Sequence, residues 1–208
     1  AGDSLRTDYW MMNKAHPTHR FGFAVGRYNI SKRFDKDIIF RHYTEPADTA
    51  YQSVIYDQTT KIASFLEEYL DVPYPWYTYS QAPVRNALTG TTEHTGLSLL
   101  FEDTQFDRRA SQDVNNRDLI VNSLATQWFG SFVAPENWSY LPLSKGLATY
   151  MEYIYRRENL GREAADWHNL KQKIRYLDEA QTFRRPVIFD RYKKPSQLND
   201  AHSSEKTS

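Results

Sequence analysis

Apolar residues recur with a period of two in the first part of the chain and with a helical period afterwards. Phe21, Phe23 and Val25 alternate with small residues between Arg20 and Tyr28. Ile38 and Phe40 alternate in the same way between Lys36 and Tyr43, and a shorter apolar run spans Tyr9 to Met12, so three strands are predicted. From Asp48 or Thr49, either of which can cap a helix, Tyr51, Val54, Ile55, Ile62, Phe65, Leu66 and Tyr69 recur at helical spacing. That helix stops before Val72-Pro73-Tyr74-Pro75-Trp76, because proline lacks the amide donor a helix needs. Asn115 or Asn116 caps the next one, in which Ile120, Leu124 and Trp128 form one apolar row and Val121, Ala125, Phe129 and Phe132 a second. A polar strip remains between the rows, with Asn122 and Thr126 stacked one turn apart and flanked by Ser123 and Gln127. A further helix contains Leu143 to Tyr150 and ends in the basic turn Arg156-Arg157, with Gly161 as its cap. The last predicted helix runs from Arg162 to about Thr182, with Trp167, Leu170, Ile174 and Leu177 on one side, and stops at Arg184-Arg185-Pro186.

Composition narrows the function classes. The chain has 208 residues, enough to bury a substantial core, with 15 tyrosines and 5 tryptophans. Its formal net charge is zero, so electrostatics give no reason to expect nucleic acid or an anionic membrane as partner. No apolar run approaches the length of a membrane span, and Ala1-Gly2-Asp3 does not begin a signal peptide. The absence of cysteine excludes disulfides and thiol catalysis and leaves the compartment open. His16, His19 and His42 read as surface or satisfied histidines, and His168 as structural or exposed.

Taken alone, an Asn-x-x-x-Thr pair on a buried helix is a pair of satisfied polar side chains. Its surroundings say more. Gln127-Trp128-Phe129-Gly130, followed by Gly146-Leu147-Ala148-Thr149-Tyr150, resembles the zinc aminopeptidases of the aminopeptidase N type, the gluzincins. Their signature is H-E-x-x-H-Q-W-F-G on one helix and N-E-G-F/L-A-T-Y on the next. The resemblance places Asn122 at the first zinc histidine, Ser123 at the general-base glutamate, Thr126 at the second histidine and Lys145 at the third ligand. A catalytic zinc needs three protein ligands of imidazole or carboxylate type and an open position for water. Neutral Asn and Thr oxygens bring no negative charge to the ion. A lysine ammonium at about 4 Å would oppose a cation by about 4 kcal/mol per unit of charge product at an effective dielectric near 20. Serine at 123 cannot take a proton from an attacking water. Zinc is therefore expected to be absent, and no catalytic residue is expected.

The likeness runs from about Ala50 to Glu205. Leu70-Asp71-Val72-Pro73-Tyr74-Pro75-Trp76 resembles the family's G-x-P-Y-P-W turn, and Phe101-Glu102-Asp103-Thr104 with Asp107-Arg108-Arg109-Ala110 resembles a linker of bacterial members. Gly90-Thr91-Thr92-Glu93-His94 stands at the family's G-A/G-M-E-N. This implies that Glu93 pairs with the free α-ammonium of a peptide, with His94 in place of asparagine, and that Leu97 to Leu100, including Ser98, is the edge strand on which a peptide backbone pairs. In the tail, Ser204 falls where the family's tyrosine donates to the oxyanion, and a serine hydroxyl is too short to reach.

The resemblance implies an α+β fold of the thermolysin-like metallopeptidase type, a small mixed sheet followed by helices. Residues 1–30 would be the end of an amino-terminal β-domain or linker strands. Residues 31–208 would be a peptidase-like catalytic domain truncated before its carboxy-terminal lobe. The function expected is a catalytically inactive aminopeptidase-like domain serving peptide binding or assembly, with peptide amino termini or a protein that completes the cleft as partner. Two alternatives remain: a zinc aminopeptidase with atypical ligands drawn from Glu93, His94 and His202, and a purely structural domain of a larger protein or complex.

Overall fold

The computed structural model describes residues 7–51, 56–85, 91–101, 104 and 106–208, the side chains of 50 and 51 excepted. Five strands form one mixed sheet in the order β1-β2-β3-β5-β4. Strands β1 (Asn29–Asp35) and β2 (Ile38–Thr44) make an antiparallel hairpin whose turn places Lys36 in the left-handed region at φ 49°. Strand β2 alternates strictly, burying Ile38, Phe40, His42 and Thr44, as a strand with one covered face requires. It runs parallel to β3 (Thr78–Val84), which is in turn parallel to β5 (Leu97–Phe101). Strand β4 (Thr91–His94) closes the far edge, antiparallel to β5 through a turn at Gly96 with φ 68°.

The crossover from β2 to β3 carries α1 (Thr59–Leu70), which buries Ile62, Ala63 and Leu66 against the sheet. Asp71 ends it in a left-handed conformation, and the Val72 amide reaches back to the Glu67 carbonyl at 3.3 Å. Helix α2 (Arg117–Trp128) is almost wholly buried. It packs between the sheet and α3 (Leu141–Leu160), and α4 (Arg162–Thr182) packs on the outer side of α3. One core joins Phe40 and Tyr79 of the sheet to Ile62 and Leu66, to Ile120, Leu124 and Trp128, and to Met151 and Ile154.

Several expected elements differ. Neither Tyr9–Met12 nor Arg20–Tyr28 is a strand, and Phe23 is 73% exposed. Alternation alone does not make a strand, which also needs a neighbour to pair with, and the partner of β2 is the polar stretch from Asn29. That stretch carries no apolar alternation because β1 is an exposed edge. The helix expected from Asp48 begins at Thr59, preceded by a 3-10 turn at Pro46–Tyr51. Val54 and Ile55 lie outside the described residues. Phe132 falls beyond the end of α2 and is 49% exposed, its ring edge-on to Trp76. Helix α4 has the predicted bounds, but its row Trp167, Leu170, Ile174 and Leu177 faces solvent, while Ala165 and Ala180 are its buried residues.

Candidate functional site

Residues kept in the two motif frames have identifiable packing roles. The side chain of Gln127, fully buried, accepts the Gly96 amide at 2.8 Å and donates to the His94 carbonyl at 3.0 Å, so α2 holds the β4–β5 turn in place. Trp128 Nε1 donates to the carbonyls of Val72 and Pro73, both at 3.2 Å, which fixes the end of α1 to the end of α2. Gly146 admits the tail: a Cβ there would lie 2.0 Å from Thr207 Oγ1. Asn116 occupies the N-cap of α2, while Asn115 Oδ1 accepts the Arg117 amide at 3.3 Å.

The four positions that resemblance assigns to zinc chemistry lie on α2 and α3, and each side chain has a hydrogen-bond partner within the fold. Asn122 Nδ2 donates to Glu152 Oε1 at 2.7 Å. Thr126 Oγ1 donates back to the Asn122 carbonyl at 2.9 Å, the usual bond of a hydroxyl one helical turn on. Ser123 Oγ donates to Glu93 Oε1 at 3.2 Å, and Thr91 Oγ1 donates to the same oxygen. Lys145 donates to Asn199 Oδ1. Its ammonium is pushed below the usual lysine range, first by burial and then by the positive charge of Arg20, with Glu93, Asp200 and Glu205 acting the other way.

Arg20 is a member of this site that no sequence signal indicated, since it lies 73 residues before Glu93 and outside both motifs. Its Nη1 donates to the Glu93 carbonyl at 3.0 Å, and its own carbonyl accepts the Thr95 amide at 3.0 Å. The guanidinium rests against Gly130, whose φ of 128° suits glycine and where a Cβ would lie 2.6 Å from Arg20 Nη2 and 3.6 Å from the Thr126 methyl. A guanidinium thus stands beside position 126. Burial pulls its pKa down while the Glu93 carboxylate pulls it up.

Behind the strip lies a second cluster the sequence did not reveal. Glu152 accepts from Asn122 on one oxygen and meets His168 Nε2 at 3.0 Å and Gln172 Nε2 at 3.3 Å on the other. Burial raises its pKa, opposed by its bonds to His168 and Asn122. A buried carboxylate behind a helix position is the arrangement that orients a metal-bound imidazole, and here it holds the Asn122 amide.

The edge-strand expectation needs correction. Leu97 to Leu100 belong to β5, which is paired on both sides, by β3 and by β4, and Ser98 is buried with its hydroxyl 2.8 Å from Tyr79 Oη. Backbone pairing is therefore closed to Leu97 and Ser98. The edge is β4, and Arg20 already covers the Glu93 carbonyl there. His94 turns its half-buried ring onto Gly22, where a Cβ would lie 2.4 Å away. Burial, with Arg20 nearby, holds the ring's pKa below the ordinary histidine value.

His202 does not join Glu93. It is buried with Glu179, 2.6 Å from Nδ1 to Oε1, close to Asp200. These three could in principle hold a cation, but the Arg185 guanidinium takes both oxygens of Asp200 and already supplies the positive charge. Ser204 Oγ has two acceptors within reach of its one hydrogen, the Asp200 carbonyl at 3.1 Å and the Glu205 carboxylate within its own turn.

Residues 54–207 match the model of the Peptidase family M1 domain. The chain is 27% identical to Aminopeptidase M1-A of Oryza sativa subsp. japonica over 156 residues, 72% of this chain and 18% of that protein. It is 26% identical to Aminopeptidase N of Canis lupus familiaris over 144 residues, 66% of this chain and 15% of that protein. It is 25% identical to Endoplasmic reticulum aminopeptidase 1 of Mus musculus over 157 residues, 73% of this chain and 17% of that protein. The matched part spans less than a fifth of the length of each of these relatives. No helix among the described residues is long and apolar enough to cross a membrane.

Proposed function

Since the chain belongs to peptidase family M1, we propose that it is a catalytically silent aminopeptidase-like domain whose remaining chemistry is recognition of a free α-ammonium group, as borne by a peptide amino terminus. The observation that carries this reading is the state of the four zinc-chemistry positions beside Glu93. Asn122 and Thr126 are spent on hydrogen bonds within the fold, Lys145 and the neighbouring Arg20 are cations, and Ser123 bonds to Glu93. These residues do not fit zinc, which would meet two positive side chains and no imidazole or carboxylate at the ligand positions. Serine at 123 is no base, and Ser204 is bonded within its turn, so neither residue at the position that resemblance assigns to proton abstraction or to oxyanion stabilisation is suited to that role.

Glu93 is different. Its Oε1 takes two hydroxyl donors, while among the described residues nothing donates to Oε2. An ammonium at that oxygen would form a charge-assisted hydrogen bond with a carboxylate whose position α2 and β4 already fix. The test is titration of a short peptide with a free amino terminus, and of its N-acetylated form, into wild type and Glu93→Gln. Preference for the free terminus, reduced about tenfold by the substitution, supports the reading. Equal binding by both proteins, or none, would instead favour a structural domain without a ligand of its own.

A further inference from the structure

Two cations, Lys145 and Arg20, act on Glu93, and an ammonium bound at Glu93 leaves both of them without its carboxylate as a counter-charge. Lys145 and Arg20 both act on Glu93 electrostatically, yet among the described residues neither comes within the 4.0 Å of an ion pair with any carboxylate. The other carboxylates that act on Lys145 are already engaged: Asp200 with Arg185 at 2.5 Å and Glu205 with Arg175 at 2.9 Å. Glu152 is held on the far side of Asn122 by His168 and Gln172. Among the described residues, Glu93 is left as the one carboxylate beside these two cations. Arg20 Nε is buried without an acceptor, and Lys145 makes one hydrogen bond out of the three an ammonium can donate.

We propose that Lys145 and Arg20 hold the α-carboxylate of a free α-amino acid while the ammonium of the same molecule sits at Glu93. The assignment rests on the amine-recognition reading above and narrows its ligand class. With the ammonium of the same molecule at Glu93, Lys145 and Arg20 are left as two cations, and the α-carboxylate offsets one of these charges while being shared by both. A peptide amino terminus offers a neutral carbonyl at the corresponding place and leaves both cations as they are. An anion held there would neighbour Ser123, bonded to Glu93, and Thr126, which Arg20 approaches across Gly130, and the same two cations repel a divalent cation.

Leucine, leucinamide and N-acetylleucine separate the two halves when titrated calorimetrically into the wild-type protein. Leucinamide keeps the ammonium and lacks the carboxylate; N-acetylleucine is the reverse. The expected result is that leucine binds about tenfold more tightly than leucinamide, and that Lys145→Gln brings the two within about twofold. Equal binding of leucine and leucinamide by the wild type overturns the carboxylate site and leaves amine recognition standing. Binding of N-acetylleucine without leucinamide does the opposite, and no binding of any of the three overturns both. The wild-type comparison needs no variant, and the melting temperature of Lys145→Gln reports whether that protein is folded.

Discussion

Asn122 donates its side-chain amide to the buried carboxylate of Glu152 across 2.7 Å. That bond joins α2 to α3 at the place where resemblance puts a zinc histidine, and on its other side Glu152 meets His168 of α4. One carboxylate therefore ties three helices. Glu152→Ala leaves the Asn122 amide without its acceptor in a largely buried site, and a loss of about 2–3 kcal/mol is expected. Glu152→Gln, which can still accept from Asn122, costs less. Urea unfolding of the two variants against wild type measures the difference, and an unchanged midpoint for Glu152→Ala rules out this role.

Gln127 has a packing role that does not depend on zinc chemistry. Its two bonds fix the Gly96 turn and the His94 carbonyl, and with them the β4 edge on which Glu93 stands. Gln127→Ala leaves a buried donor and a buried acceptor unpaired, for an expected cost of about 2–4 kcal/mol. Hydrogen exchange at the Gly96 amide should speed up more in this variant than exchange in β2. Uniform acceleration across the sheet would mean that Gln127 acts only through global stability.

His42 gives the fold an acid-sensitive point. It is buried and stacked on Tyr56 at 4.7 Å, and burial, followed by the positive charge of Arg33, holds its pKa down at about 4, with Gln81 opposing. The unfolded chain takes up a proton at this residue near the ordinary value of 6.5, and the folded chain only near 4. Stability from this source is complete above about pH 6.5 and lost as pH falls towards 4, on the order of 3 kcal/mol at the lower end. Unfolding free energies at about pH 7.5 and about pH 4.5 should differ less in His42→Gln than in wild type. The same pH dependence in both proteins would place the acid-sensitive group elsewhere.

The helical part of the fold was legible because its signal is local. Ile120, Leu124 and Trp128 repeat at helical spacing and are buried, and the bounds of Arg162–Thr182 follow from Gly161 and the Arg-Arg-Pro stop. The sheet was less legible because pairing depends on the partner: Phe21, Phe23 and Val25 alternate without a neighbour, while polar β1 is a strand because β2 lies beside it. The same limit explains the edge. Leu97 to Leu100 read as an outer strand, and only the order of all five strands puts β4 outside them. Within the site, positions 122, 123, 126 and 145 could be aligned by motif. Arg20 could not, since it reaches Glu93 and Gly130 from the short 3-10 turn Thr18–Arg20, far from both motif frames in the sequence. Trp167, Leu170, Ile174 and Leu177 show that a correct apolar face does not reveal what covers it.

Whether zinc binds is decided by the side chains at 122, 123, 126 and 145 and the cations beside them, and metal content tests this most directly. Purified protein is equilibrated with excess zinc, dialysed and analysed for bound metal, beside a variant carrying Asn122→His, Ser123→Glu, Thr126→His and Lys145→Glu. The expected result is no retained zinc in the natural chain and stoichiometric zinc in the variant, whose new side chains supply the imidazole and carboxylate donors that zinc requires. Stoichiometric zinc that resists dialysis in the natural chain would contradict the account.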